Sequence, residues 1–194
     1  MPGEPRLVRI DERLVHGQVV VAWLKHLSCS SVCIVDDEVS GDQYIQEVYK
    51  MALGTGNRLV VCTAHEAPSY WTGWEDSLVL VRNVLLACEI FESGAVFSRL
   101  NLGGMGKRIG RIKLLDNIYV SPEEMESLRF LRDSGVHLFY QSVPAEAPVD
   151  VAPYLDDKIH DDEAGAEAGD EVLNGEATGQ ATPSKEVRNA LRRR

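Results

Sequence analysis

Leu7-Val8-Arg9-Ile10-Asp11-Glu12-Arg13-Leu14-Val15-His16-Gly17-Gln18-Val19-Val20-Val21-Ala22-Trp23-Leu24-Lys25-His26-Leu27 is the stretch on which the fold turns. Its first four residues are a short β-rich run, so Leu7–Ile10 is expected to be a strand. From Gly17 the period changes. Val20, Val21, Leu24 and Leu27 recur at helical spacing, which predicts a helix over Gly17–Leu27. The polar loop 11–16 separates the two. A strand, a short loop and a helix open a strand–helix–strand unit, and Val32–Val35 supplies its second strand.

The alternation continues downstream. Asp36-Asp37 reads as a turn. Asp42–Leu53 sets Ile45, Val48, Tyr49 and Ala52 on one helical face, and Gly54-Thr55-Gly56-Asn57 stops it. Leu59–Thr63 and Ser77–Val81 read as strands, and Trp71 and Trp74 as packing residues of the loop between them. Val84–Phe91 is a helix ended by Ser93-Gly94. Arg99–Leu102 is a short strand running into Gly103-Gly104-Met105-Gly106, and Lys113–Val120 supplies one or two more. At Ser121-Pro122-Glu123-Glu124, a capping serine, a proline at the first helical position and a capping-box glutamate agree on a helix start. That helix ends at Ser134-Gly135, and Val136–Gln141 is a last strand. Apolar strands alternating with helices predict an α/β fold built on an open, mostly parallel twisted sheet. Ligands of such sheets bind beyond the carboxyl ends of the strands. Loops 11–16, 36–41, 63–75 and 103–111 are therefore the places to look for chemistry.

Composition narrows the function classes. The chain has 194 residues, 44% hydrophobic and 26% charged, enough for one buried core. Its net charge of −10 argues against a basic nucleic-acid binder. The most apolar stretch, Ser77–Phe91, is broken by Arg82, Asn83 and Glu89, so no membrane span is expected. Met1–Arg6 lacks the apolar segment of a signal peptide, and a cytoplasmic protein is expected. Cys29, Cys33, Cys62 and Cys88 lack zinc-site spacing and read as reduced core thiols.

Loop 11–16 carries the densest chemistry. His16 precedes a helix whose first backbone N–H groups have no partner within the helix. An anion there is stabilised by those donors and by the helix dipole. Arg13 offers a planar, always-charged fork suited to phosphate oxygens. Asp11 could accept from one imidazole nitrogen and leave the other as nucleophile. Gly17 would remove a side chain where a phosphate approaches. A plain capping network, with Asp11 paired to Arg9 or Arg13, explains the same residues.

Elsewhere the signals are weaker. Gly104-x-Gly106-x-x-x-Gly110 fits neither a dinucleotide fingerprint nor a Walker loop, so no nucleotide cofactor is expected and the glycines read as a tight turn beside the His16 loop. Lys107, Arg108 and Arg111 could present positive charge to a phosphorylated partner. His26, His65, His137 and His160 stand in no motif and read as structural or surface residues.

Arg9-Ile10-Asp11-Glu12-Arg13-Leu14-Val15-His16-Gly17-Gln18-Val19, with Trp23 following, resembles the active-site loop of the enzyme IIB component of the phosphoenolpyruvate-dependent sugar phosphotransferase system, mannose/fructose/sorbose family. Val35-Asp36-Asp37-Glu38-Val39 is similar to that family's acidic turn, and Asn101-Leu102-Gly103-Gly104-Met105 to its Asn-x-Gly-Gly-Met segment. The resemblance spans residues 6–155. It implies an open α/β sheet with helices on both faces. It also implies a protein-N(pi)-phosphohistidine–sugar phosphotransferase that needs no cofactor or metal. In that reading His16 takes a phosphoryl group from a phosphorylated IIA protein. The group passes to sugar held by a membrane IIC/IID complex. Arg13 matches the phosphate-contacting arginine, and Asp11 the aspartate two residues before it. A regulatory phospho-acceptor would carry the same loop, and a plain binding module the same fold. The residues do not fix the oligomeric state, and a homo-oligomer stays open.

The resemblance places a domain at 1–155 and leaves 156–194 as a tail. Nine acids and one base fill Asp156–Glu176, and five bases and one acid fill Ala177–Arg194. With so few large apolar residues, this segment is expected to be solvated and disordered. A chain ending at Leu155 is therefore expected to keep its melting temperature and its phosphorylation. A large fall in melting temperature on truncation would show that the tail docks on the domain.

Overall fold

The computed structural model describes residues 3–156. Apart from Asp156, the expected tail lies outside the described residues, as does His160. Among the described residues there are nine strands: β1 (Leu7–Asp11), β2 (Ser31–Val35), β3 (Arg58–Cys62), β4 (Ser77–Val81), β5 (Arg99–Gly104), β6 (Ile112–Leu115), β7 (Ile118–Val120), β8 (His137–Tyr140) and β9 (Val149–Asp150). Seven form one sheet in the order β3-β2-β4-β1-β5-β8-β9. All its pairings are parallel except β8 with β9. The helices are α1 (Gly17–Leu27), α2 (Asp37–Gly41), α3 (Gln43–Leu53), α4 (Ala67–Tyr70), α5 (Val84–Glu92), α6 (Pro122–Asp133) and α7 (Ala152–Asp156).

The two-residue period of the strands divides the core between the faces of the sheet. Val32 and Ile34 of β2, with Leu78 and Leu80 of β4, lie in one apolar cluster with Trp23 and Leu24 of α1 and Leu53 of α3. Cys33, Val35, Val79 and Val81, one residue out of phase, lie in the other with Ala87 and Ile90 of α5 and Leu128 and Leu131 of α6. Both faces are covered, which is why the central strands read as unbroken apolar runs. No helix among the described residues is long and apolar enough to cross a membrane.

Several local expectations are corrected. Asp36 does not make a simple turn: its carboxylate accepts from the N–H of Val39 at 2.9 Å and caps the short helix α2. Segment 63–75 is not a bare loop, since it folds into α4 and a 3-10 turn at Trp71–Gly73. There Trp71 and Trp74 are buried, and the Trp71 indole donates to the carbonyl of Val96 at 2.7 Å. Gly103 and Gly104 belong to β5, and the chain turns only after Met105. Lys113–Val120 contains two strands, which pair as a separate antiparallel hairpin. The Ser121–Glu124 capping box is formed as read.

Cys33 and Cys62 are buried free thiols, as is Cys29, while Cys88 is half-buried. Burial pushes the Cys33 thiol up to about 11 and the Cys62 thiol to about 12. Their reactive thiolates are therefore scarce in the folded state. At mildly alkaline pH, a disulfide reagent is expected to modify both only as fast as the protein unfolds. Rapid labelling of either in the native protein would contradict this burial.

Candidate functional site

β1 brings an arginine into the core. Leu7 and Phe139 pack with α1 on the same face as Arg9, whose side chain is 1% exposed. An unpaired charge there would be strongly unfavourable. Both terminal nitrogens of the guanidinium are engaged instead. It donates to Asn101 Oδ1, to the carbonyl oxygens of Gln141 and Ser142 at 3.0 and 3.2 Å, and to Asp11 Oδ2 at 2.9 Å. Its Cζ lies 5.3 Å from the Trp23 ring centroid, and the Trp23 indole itself donates to Ser142 O at 3.3 Å. Burial lowers the pKa of this guanidinium, and the Asp11 carboxylate opposes the shift. Gly103 makes room for it: a Cβ there would sit 2.2 Å from Arg9 Cζ. Arg9, Asn101 and Gly103 thus lock the two motifs together across adjacent strands.

Asp11 is also buried. Its second oxygen, Oδ1, accepts from the backbone N–H of Arg13 at 3.2 Å and from Arg13 Nε at 3.4 Å. The expected bond from Asp11 to the imidazole is absent, because both carboxylate oxygens are committed to the arginines. Asp11 acts on Arg13 instead, leaving the guanidinium half-exposed with Nη1 and Nη2 unengaged among the described residues. The chain then closes a turn, with the N–H of Leu14 on Asp11 O at 2.9 Å. Leu14 takes the left-handed conformation (φ 52°) while fully buried. A leucine pays strain there, and its packing with Val15 in the α1-side core holds it in place.

His16 emerges exposed as the N-cap of α1. Its side chain does not cap, and the first turn holds no acidic residue. The positive end of an eleven-residue helix is therefore not neutralised by a carboxylate of that turn. Gly17 takes a positive φ of +46°, and an added Cβ would meet no protein atom within 4 Å.

On the other flank, Glu12 ties this loop to segment 105–111. Oε2 accepts from the Gly106 N–H and from Arg108, each at 3.2 Å, and Oε1 accepts from Arg111. Burial alone would raise the Glu12 carboxyl. The Arg111 hydrogen bond, the Gly106 N–H and the charges of Arg111 and Arg108 outweigh it and hold the group below the usual range. Arg111 also binds Glu124, the capping-box residue of α6, at 2.9 and 2.5 Å. Of the three cations expected to face a partner, Arg111 is therefore spent internally and Arg108 is paired, leaving Lys107. A cavity of about 510 Å³ opens here, lined by Glu12, Arg13, Gly103–Lys107, Asn117, Tyr119 and Ser142.

The acidic turn is a structural staple at the same end of the sheet. Asp36 binds Arg82 Nε at 2.7 Å, and Asp37 accepts from the N–H of Ala64 at 2.9 Å. It joins the ends of β2, β3 and β4. No cluster of three or more metal-ligating side chains occurs among the described residues.

The comparisons with known proteins converge on one family. The family model described as the PTS system sorbose subfamily IIB component matches residues 5–165. The chain belongs to this family. It is 29% identical over 156 residues to an N-acetylgalactosamine-specific phosphotransferase enzyme IIB component 2 of Escherichia coli K12, covering 77% of this chain and 97% of that one. A mannose-specific EIIAB component of the same strain is 28% identical over 146 residues, which is 72% of this chain and 45% of that longer protein. The crystal structure of the IIBSor domain of the sorbose permease from Klebsiella pneumoniae superposes with a TM-score of 0.70 at 26% identity, covering 78% of this chain and 96% of that one. The doubly covered, mostly parallel sheet is thus the fold of IIB domains.

The sequence places Arg9, Asp11, Arg13 and His16 together, and the expected pairing of Asp11 with Arg9 or Arg13 is present with both. What it did not reveal is the burial of Arg9 and the parts played by Asn101 and Glu12 in shaping the loop. An arginine between Val8 and Ile10 in an apolar strand was the available signal. Replacing Arg9 with Met is expected to cost about 3–5 kcal/mol of unfolding free energy, because Asp11 loses its buried partner. Adding Asp11→Asn should recover much of it. Denaturant unfolding of the single and double variants checks both; a single-variant loss below about 1 kcal/mol would show that the pair does not hold the loop.

Proposed function

We propose that this IIB component is a cytoplasmic phosphocarrier in which His16 is the nucleophile. The observation that carries the reading is the exposed imidazole at an uncapped helix N-terminus, three residues from an arginine held by its Nε so that its outer nitrogens face solvent. The unprotonated imidazole attacks the phosphorus of a phosphohistidine on a IIA protein. A P–N bond forms at His16 as the P–N bond of the donor breaks, and the donor imidazole leaves with the electron pair. In the second step a sugar hydroxyl attacks, the P–N bond to His16 breaks, and the hydroxyl proton is released.

Each residue has a defined task. The Arg13 outer nitrogens and the N–H groups of the first turn of α1 receive the equatorial oxygens of the transferring group, where charge is spread in the transition state. Asp11 positions Arg13 without touching the reacting atoms. Arginine and backbone dipoles supply the positive charge, so the proposed reaction calls on no cofactor or protein-bound metal. Sugar held by membrane IIC/IID components is the proposed acceptor. The EIIAB relative, whose name joins an A and a B component, supports a IIA donor.

Incubation with phosphoenolpyruvate, the general phosphotransferase proteins and a cognate IIA is expected to add one acid-labile phosphoryl group, absent in His16→Ala. Arg13→Lys should slow transfer about tenfold or more, roughly 1.4 kcal/mol of barrier, with the fold intact. Label persisting on His16→Ala would overturn the assignment. Wild-type rates in Arg13→Lys would reduce Arg13 to an ion-pair partner of Asp11.

A further inference from the structure

We propose that the loop Gly106–Arg111 is a docking arm for the phosphorylated donor protein, with Ile109 as its apolar anchor; this rests on the phosphocarrier reading above. Ile109 is fully exposed, at 107% relative accessibility, and Gly106 through Gly110 are all exposed around it. A single exposed isoleucine is ordinary on a protein surface. What distinguishes this one is the bracing of the loop beneath it.

Arg111, only 9% exposed, closes the loop on itself by donating to Gly106 O at 3.1 Å. The same guanidinium grips Glu12, on the loop that carries His16, and makes a two-pronged contact with Glu124 at the start of α6. From the other side, Glu12 takes the Gly106 N–H and Arg108. The Arg111 N–H on Arg108 O at 3.1 Å, with Gly110 at φ +82°, makes the turn that lifts Ile109 outward. The hydrogen bonds fix the root of the arm, and the hydrophobe at its tip contributes nothing to folding. Presenting an anchor on an already ordered arm reduces the entropy lost when a partner binds.

Charge selects the partner. Although the whole chain carries −10, the arm and the adjacent cavity present Lys107 and Arg13. The one carboxylate lining that cavity, Glu12, is already consumed by Arg108 and Arg111. Lys107 has no ion-pair partner among the described residues. A donor bearing a phosphohistidine dianion is attracted to this local field, whereas a neutral sugar is not. The fitting surface is therefore an apolar socket rimmed by acidic residues, beside the donor histidine.

The test is the initial rate of phosphoryl transfer to the full chain as the concentration of phosphorylated donor is varied. Ile109→Ser is expected to raise KM for the donor at least fivefold with kcat within twofold, and Ile109→Leu to behave like wild type. Lys107→Gln should lower kcat/KM at low salt and flatten its salt dependence. Wild-type transfer with an unchanged KM in Ile109→Ser overturns the docking arm and leaves the phosphocarrier reading standing. An effect confined to transfer onto the membrane acceptor overturns the choice of donor. If the wild-type chain accepts no phosphoryl group, the reading fails and the arm falls with it.

Discussion

Arg9 carries a permanent charge into the interior of a parallel sheet, and the geometry of the site follows from how that charge is satisfied. Asp11 supplies the countercharge, Asn101 and two carbonyls of the segment just after β8 supply the remaining acceptors, and Trp23 covers the guanidinium face. The network therefore joins β1, β5, the segment after β8 and α1, which are the elements surrounding the His16 loop. It fixes Asp11 and, through Asp11, the backbone and side chain of Arg13.

Beyond Asp11 the loop is held by opposing demands. Leu14 and Val15 return to the core, Leu14 in a left-handed conformation that only a buried, well-packed leucine sustains. Glu12 and Arg13 are thereby directed to the cavity side, and His16 is left at the start of the helix. Glu12 extends the same order outward through Arg111 to the α6 capping box. The loop is consequently shaped before any partner arrives. The proposed in-line transfer between two imidazoles would draw on such preorganisation, because small misplacements at a reacting centre are expensive.

Much of this was legible in the sequence, for identifiable reasons. The alternation of apolar strands with helical periods gave the fold class, since both signals are local. The Ser121 capping box was readable because all its parts lie within four residues. The loop around His16 carries a family resemblance in its sequence alone, and the family is the one that the chain belongs to. Long-range polar pairing was not legible. Nothing local shows that Gly103 exists to admit Arg9 from the neighbouring strand; the run of glycines around it suggested a turn. Sequence spacing leaves Asp11 open to the imidazole or to Arg9 or Arg13, and cannot show that it serves both arginines at once. Nor does the local sequence show that the chain takes a positive φ at Gly17. Short helices such as α2 and α4 escaped because four or five residues are too few to display a period.

The central claim is that one imidazole, at His16, carries the phosphoryl group. Phosphorus–nitrogen correlation NMR on the full chain, labelled with nitrogen-15 and phosphorylated through its donor, measures this directly. The account predicts a single phosphoramidate signal coupled to a ring nitrogen of His16. A phosphorus signal coupled to the ring nitrogens of His26, His65, His137 or His160, or coupled to no imidazole at all, would contradict it.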